Sequence, residues 1–174
     1  MYYNTSKNDH NLKYNPFKAL VVPRPIGWIS TISKKGLGNL APFSFFNALN
    51  YDPPFVMFSG GSRKNGKKKD TVNNVEQVGE FVVNIANWET RKQMDETSWI
   101  LESDLDELSK VGLTAVPSIE VSPARVLESP IHFECKYHKT ILLPGNTPQA
   151  VHYVIIGKVI GIHIKDEFIT KEGL

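Results

Sequence analysis

The sequence predicts a mainly β, antiparallel architecture closed into a complete or split barrel, with a few helices at its periphery. Two observations carry this. Apolar or β-branched runs recur between turn residues at 26–33, 55–59 and 81–85, and again as two longer runs at 126–138 and 151–164; their composition suits a pleated surface. Helical spacing enters late, at 70–79 and between 88 and 110, without the strand–helix alternation that a doubly wound sheet requires. Closure into a barrel removes the open edges such a sheet would otherwise present.

Composition bounds what the chain can be. At 174 residues, 41% hydrophobic and 22% charged, it reads as one soluble globular domain with a substantial core. A formal net charge of +2 is too small to make nucleic acid a bulk electrostatic partner. One cysteine, Cys135, excludes an internal disulfide and a cysteine-rich metal site, and fits a reducing cytoplasm. Residues 1–10 lack the apolar centre of a signal peptide and no run reaches membrane-spanning length, so the expectation is a cytoplasmic protein with no membrane partner. Residues 1–16 are polar and aromatic without period and read as an N-terminal arm. Neither repeats nor a low-complexity linker interrupt 17–174, which reads as a single domain.

Along the chain, Phe17 to Val22 is the first firm element, stopped by Pro23-Arg24-Pro25, where two prolines force an extended backbone. A strand over 26–33 and a glycine-containing hairpin loop over 34–39 lead into the stretch Asn39 to Pro54. There, small residues, hydroxyls and amides alternate with aromatics, a composition a flat ligand can approach closely. A half-buried strand ending in a proline-stopped turn would show the same alternation. If the stretch is a site, Trp28, Ser30 and Thr31 beside Ala41 to Asn47 form its floor. The run 55–59 then empties into a loop with five cations between positions 63 and 69. Asp70 and Thr71 are good helix N-caps, Val72 and Val75 recur at helical spacing, and Gly79 closes the segment. Cations and hydroxyls converging on a helix N-terminus make a competent phosphate site, although no Walker-type glycine–lysine–hydroxyl motif is present.

After the 81–85 strand, the segment from Trp88 to about Lys110 reads as helical: Leu105 and Leu108 lie three apart, Ser103 or Asp104 can cap, and Gly112 ends it. Trp88, Met94 and Trp99 read as packing residues. Residues 114–123 are punctuated by prolines. In the first of the two long strands, Ile131, Phe133 and Cys135 share one face and His132, Glu134 and Lys136 the other, and a loop over 143–148 leads to the second. Cys135 reads as a small buried hydrophobe. His10, His132, His138, His152 and His163 are scattered, with no metal-ligand spacing, and no nucleophile-elbow motif appears.

Read together, Arg24-Pro25-Ile26, Asn39-Leu40-Ala41-Pro42-Phe43-Ser44-Phe45-Phe46-Asn47, Asp52-Pro53-Pro54 and Lys69-Asp70-Thr71 resemble the flavin reductase-like, FMN-binding split-barrel family that includes flavoredoxins. Gly112-Leu113-Thr114, Pro117-Ser118, Glu128-Ser129-Pro130 and Phe133-Glu134-Cys135 continue the pattern in order, so the resemblance covers about residues 17–168. It implies a split barrel with FMN at a homodimer interface, NADH or NADPH as co-substrate, and a redox partner protein or monooxygenase downstream. By position, it implies that Ala41, Pro42, Phe43, Ser44 and Asn47 line the isoalloxazine, with Trp28 and Thr31 near its edge. Ser59, Arg63, Lys64, Lys69, Asp70 and Thr71 would serve the ribityl and phosphate oxygens. His152, five residues before Gly157, would face the flavin and the nicotinamide as the catalytic candidate; a strand histidine bonded only to a neighbour fits the same position. A flavin carries the hydride chemistry itself, so the missing nucleophile motifs accord with this family. Three features depart from it: Asn50 replaces a frequent serine, the 60–68 loop is rich in lysine, and relatives tend to continue beyond Leu174. Two other readings remain: a flavin-binding sensor or interaction module without turnover, and a barrel that binds single-stranded nucleic acid through its aromatics and lysine loop.

Overall fold

Gly38–Phe43 (β2) and Phe46–Tyr51 (β3) are separated by two residues, yet they form the opposite edges of one seven-stranded sheet. This is the central fact of the computed structural model, which describes residues 1–63, 65–99 and 107–173. The other strands of the sheet are β1 (Gly27–Ile32), β4 (Pro54–Gly61), β5 (Glu80–Ile85), and two long strands after a short two-stranded ribbon, β6 (Ala115–Val116) and β7 (Arg125–Val126): β8 (Ile131–Pro144) and β9 (Val151–Ile164). Their order is β2-β1-β5-β8-β9-β4-β3, and every neighbouring pair is antiparallel. A two-residue link cannot cross the width of a flat sheet, since each residue spans at most about 3.6 Å. The sheet therefore curls until its edges meet, forming a barrel split between β2 and β3. The stretch from Asn39 to Pro54 is accordingly two strands that turn at Ser44-Phe45, rather than one.

The edges meet through side chains. A Cβ on Gly27 of β1 would lie 2.6 Å from Phe46 Cδ2, and one on Gly60 of β4 would lie 2.7 Å from Phe43 Cε1. Each edge strand thus lays an aromatic ring on a glycine of the strand bordering the opposite edge. The Ser59 N–H also donates to the Phe45 carbonyl at 2.8 Å. Inside, Phe43 packs on Phe58 with centroids 4.7 Å apart and Phe58 on Phe81 at 5.4 Å, joined by Ile29, Val56, Ile155 and the fully buried Cys135. Burial pushes the Cys135 thiol well above its ordinary range, so it remains a neutral packing group.

Helix α2 (Asp70–Val78) crosses this barrel with Val72 and Val75 buried, and Gly79 stops it in the left-handed region at φ 81°. Between the first sixteen residues and β1 the chain makes one exposed helical turn, α1 (Phe17–Leu20). Between β5 and the ribbon, the segment predicted to be helical contains α3 (Arg91–Glu96) and α4 (Glu107–Lys110); the predicted cap at Ser103 or Asp104 and the Leu105 contact lie outside the described residues. A second apolar cluster of Trp28, Leu40, Leu108, Leu113 and Val126 fills the space beneath them, with Met94 packed against it. Trp88 and Trp99 correct the packing expectation: they are 73% and 70% exposed, because Met94 already covers the cluster and Trp88 lies instead under the Arg91 guanidinium, 3.9 Å from its ring centroid.

The polar face of β8 departs from simple alternation. His132 and Glu134 are buried because the segment around 117–126 covers them. Glu134 accepts N–H bonds from Ile119 (2.9 Å) and Glu120 (2.6 Å), and His163 Nε2 lies 2.5 Å from its carboxylate. Burial alone would raise the Glu134 pKa, but these donors outweigh it and hold the carboxyl below its ordinary 4.5. Burial lowers His132 and so favours its neutral ring, whose Nε2 lies 2.7 Å from the Val126 carbonyl. Asn84 completes the tie, donating to the Trp28 carbonyl (3.0 Å) while accepting the Val126 N–H (2.9 Å).

Gly27→Ala is expected to lower stability by about 1–3 kcal/mol through overpacking against Phe46; an unchanged denaturant midpoint would show that the ring has room to move. Because the Glu134 pKa is depressed, its contribution is present above 4.5 and lost as pH falls through the lower folded value. Glu134→Gln is therefore expected to lose about 3 kcal/mol near neutrality and to show a shallower decline in stability on acidification, measured by urea unfolding across the acid range.

Candidate functional site

The N-terminus of α2 is held in place by two amide–hydroxyl bonds to the barrel. Asn39 Nδ2 of β2 donates to Thr71 Oγ1 at 3.0 Å, and Asn74 Nδ2 donates to Thr31 Oγ1 of β1 at 3.1 Å. Lys69 occupies the cap position with extended backbone, and Asp70 is the first helical residue. Asp70 therefore does not cap through its side chain; its carboxylate lies 2.5 Å from Arg63 Nη2 and ties the lysine-rich loop to the helix. Lys68 is also engaged, in an ion pair with Glu76 and over the Tyr153 ring. Lys69 has no ion-pair partner among the described residues, and its Nζ lies 5.7 Å from the Phe43 ring centroid. The residue is exposed as a whole, but burial of its amine, then the charges of Arg63 and Lys18, lower its pKa below the ordinary lysine value. With Arg63 paired to Asp70, Lys69 is the cation at the start of α2 without a carboxylate partner among the described residues, a place where an anion is favoured.

Three clefts adjoin this locus. The first, about 200 Å³, is lined by Ala41, Arg63, Lys69, Asp70 and Thr71 together with Asn39, Thr97, Trp99 and Glu107. The second, about 420 Å³, contains Ser44, Asn47 and Ser59 with Phe45, Arg24 and Met57. The third, about 710 Å³, brings His152 beside Lys18 and Phe45 under residues of the N-terminal arm, among them Tyr3 and Asn8. Phe17 and Phe45 line both the second and the third, while Lys18 links the third to Lys69 electrostatically. His152 pairs with Gly61 across β4 and β9, and a Cβ on that glycine would lie 3.1 Å from His152 Cε1.

The sequence-predicted residues therefore divide. Ala41, Arg63, Lys69, Asp70 and Thr71 meet in one cleft, Ser44, Asn47 and Ser59 in the next, and His152 in the third. Trp28, Thr31 and Phe43 are buried at 0%, 2% and 4% exposure and support the site from behind. Pro42 faces Trp28 in the β1–β2 ladder, and Lys64 lies outside the described residues. Asn50, the departure from the family pattern, donates to the Asp52 carbonyl at 3.1 Å and shapes the β3–β4 turn. Lys18 and Glu107 were not singled out from sequence, Trp99 read as a packing residue and Asn39 only as the start of the central motif: each reaches its cleft through the tertiary structure, which leaves no local pattern. Glu107, for instance, accepts the Leu40 N–H at 2.5 Å.

Residues 19–172 match the family model described as flavin reductase like domain. The chain belongs to this family. A protein of Aquifex aeolicus is 39% identical over 165 residues, which cover 95% of this chain and 81% of that protein. Among solved structures, nitrilotriacetate monooxygenase component B from Bacillus cereus superimposes with a TM-score of 0.88 at 29% identity, covering 100% of this chain and 86% of the other. Pseudomonas fluorescens 2-nitrobenzoate 2-nitroreductase NbaA gives a TM-score of 0.82 at 26% identity, with 99% and 80% covered. For this flavin reductase-like chain, membership makes a flavin the ligand class and reduction through it the class of chemistry. The residues present fit such a group: Lys69, without an ion-pair partner among the described residues, shares a cleft with the Thr71 hydroxyl at a helix N-terminus, and a second cleft is lined by the Ser44 and Ser59 hydroxyls, the Asn47 amide and the Phe45 ring. Among the described residues, no helix is long and apolar enough to cross a membrane.

Proposed function

We propose that this chain binds FMN, accepts reducing equivalents from NADH or NADPH, and passes them to free flavin or to a downstream acceptor in the cytoplasm. The observation that carries the reading is Lys69 at the start of α2, without an ion-pair partner among the described residues and lining one cleft with Thr71, Ala41 and Asn39.

A bound flavin would supply hydride acceptance and onward electron transfer. The protein's part is placement. Lys69, Arg63 and the α2 amides hold the phosphate, Thr71 offers a hydroxyl whose orientation Asn39 restricts, and Ser59, Ser44 and Asn47 furnish polar contacts beside the Phe45 ring. His152 borders the cleft of about 710 Å³ and, standing over Gly61, presents its imidazole toward an incoming nicotinamide. Orientation is the main demand of transfer between stacked rings, so this arrangement needs no further nucleophile. Exposed Val21, Val22, Leu49, Tyr51, Leu142 and Leu143 favour a homodimer, since apolar surface of this extent is normally covered. The likeness to a protein named as a monooxygenase component supports a partner monooxygenase as acceptor.

Replacing Lys69 and Thr71 together by alanine is expected to weaken FMN binding about tenfold or more, the scale of losing charge-assisted hydrogen bonds, and to lower the thermal midpoint because the buried Thr71 accepts the Asn39 amide; Lys69→Ala alone is expected to weaken binding with the midpoint nearly unchanged. Stoichiometric FMN carried through gel filtration by the double variant would remove the phosphate from α2. The activity itself is tested by steady-state oxidation of NADH and NADPH with added FMN: turnover well above the rate with free flavin is expected. A protein that binds FMN yet gives only the free-flavin rate would be a flavin-binding module without turnover.

A further inference from the structure

We infer that the third cleft is a binding site for a planar aromatic carboxylate, roofed by the N-terminal arm, with Lys18 as the partner of the carboxylate. The inference rests on the flavin reading above only in placing the bound ring beside a flavin. It starts from how the arm is folded. Among the described residues, every hydrogen bond made by residues 1–16 ends within residues 1–19, so the arm is a self-tied lobe against the barrel. Its acceptors are used up in that folding. The Phe17 N–H donates to Asn15 Oδ1 at 3.0 Å, which fixes the orientation of that amide, and Asn15 Nδ2 in turn donates to Asn8 Oδ1 at 3.5 Å. The arm's one carboxylate, Asp9, accepts the Asn4 N–H at 3.0 Å. His10, 8% exposed, accepts the Leu12 N–H at Nδ1 (2.9 Å), so its proton sits on Nε2, which is buried without a hydrogen-bond partner among the described residues.

What the arm offers is therefore a surplus of donors. Asn8 and Asn15 line the cleft of about 710 Å³ with amide N–H groups left over, and Lys18 lines it with them. Among the described residues no carboxylate lines this space, and the Lys18 ammonium has no ion-pair partner. Such a wall suits an oxyanion, because charge-assisted bonds to a carboxylate are stronger than neutral ones. The rest of the lining is aromatic: Phe45 from the β2–β3 turn, Phe17 from α1 and Tyr3 from the arm. Tyr3 packs edge-to-face on the buried His10, with centroids 5.3 Å apart. Rings from three segments suit a flat apolar body. Together the two halves describe one ligand class, an aromatic ring that carries a carboxylate. Phe45 also lines the cleft of Ser44, Asn47 and Ser59, so the ring lies next to the proposed flavin and takes the cleft in turn with the nicotinamide. A nicotinamide dinucleotide brings oxyanions in its pyrophosphate, but its ring bears a carboxamide, which needs acceptors that the two committed asparagine oxygens do not supply.

The test is isothermal titration of the full chain, with and without added FMN, using 2-naphthoate and its uncharged amide, 2-naphthamide, on the wild type, Lys18→Gln and Tyr3→Ala. The wild type is expected to bind the acid about tenfold or more tighter than the amide. Lys18→Gln is expected to lose that advantage, about tenfold, while leaving the amide unchanged. Tyr3→Ala is expected to weaken acid and amide alike, by about threefold to tenfold. Equal affinity for acid and amide, binding of neither, an acid affinity untouched by Lys18→Gln, or no effect of Tyr3→Ala on either ligand would each overturn the inference, and FMN uptake in the same samples would leave the flavin reading standing. Titrating ADP-ribose separates the other source of oxyanions: Lys18-dependent binding of ADP-ribose without binding of 2-naphthoate would assign the donors to the nicotinamide dinucleotide and overturn the inference. A chain that binds 2-naphthoate through Lys18 yet takes up no FMN would keep this site and sink the flavin reading instead.

Discussion

Two aromatic rings seated on two glycines hold this fold in its working shape. Phe46 lies where a side chain on Gly27 would be, and Phe43 lies where one on Gly60 would be, so the outermost strands approach one another without a continuous hydrogen-bonded ladder. That arrangement permits a split barrel: closure by packing leaves the backbone between β2 and β3 free to turn at Ser44-Phe45 and to bring the hydroxyl of Ser44 and the ring of Phe45 to the surface. In a barrel closed by a ladder, those groups would be committed to the wall. The polar clefts exist because the seam is made of side chains.

The site is mounted on the seam from two directions. Asn39 and Asn74 pin α2 across β1 and β2, so the helix N-terminus and Lys69 stand at a set position relative to the barrel. From the other side, Trp28 points away from the barrel interior and holds Thr97, while Glu107 holds the backbone of Leu40. Residues such as Trp28 and Thr31 thereby act on the site through what they anchor. Their own side chains are buried, and a buried amide–hydroxyl or indole–hydroxyl bond fixes geometry more firmly than an exposed contact.

A separate polar tie closes the far end of the molecule. Glu134, His132 and Asn84 bind the backbone of 119–126, so both faces of β8 are covered at that end. The same strand pair, β8 and β9, continues beyond the pairing with β5 to Pro144 and Val151, with β4 still alongside β9, and brings His152 to the third cleft. One long hairpin thus serves the structural tie at one end and the candidate site at the other.

By itself the sequence determined the antiparallel β class, strands at about 26–33, 55–59, 81–85 and 151–164, the helix closed by Gly79 and the burial of Cys135. These follow from local rules: alternation, β-branching, turn residues and the left-handed preference of a glycine cap. The ordered motifs also carry the resemblance to flavin reductase-like proteins. Tertiary structure decided the rest. Local alternation reads the same for a strand continuing through Ser44 and for two strands turning there; only the packing of Phe43 and Phe46 on distant glycines separates them. Alternation put His132, Glu134 and Lys136 on one face of β8, but the burial of His132 and Glu134 depends on a covering segment that arrives from elsewhere in the chain. Lys18 joins Lys69 across some fifty residues of sequence, and Trp99, read as core, stands exposed because Met94 had already filled the space beneath it. Charge and burial at such positions depend on which distant segments arrive, and a one-dimensional pattern carries no record of that.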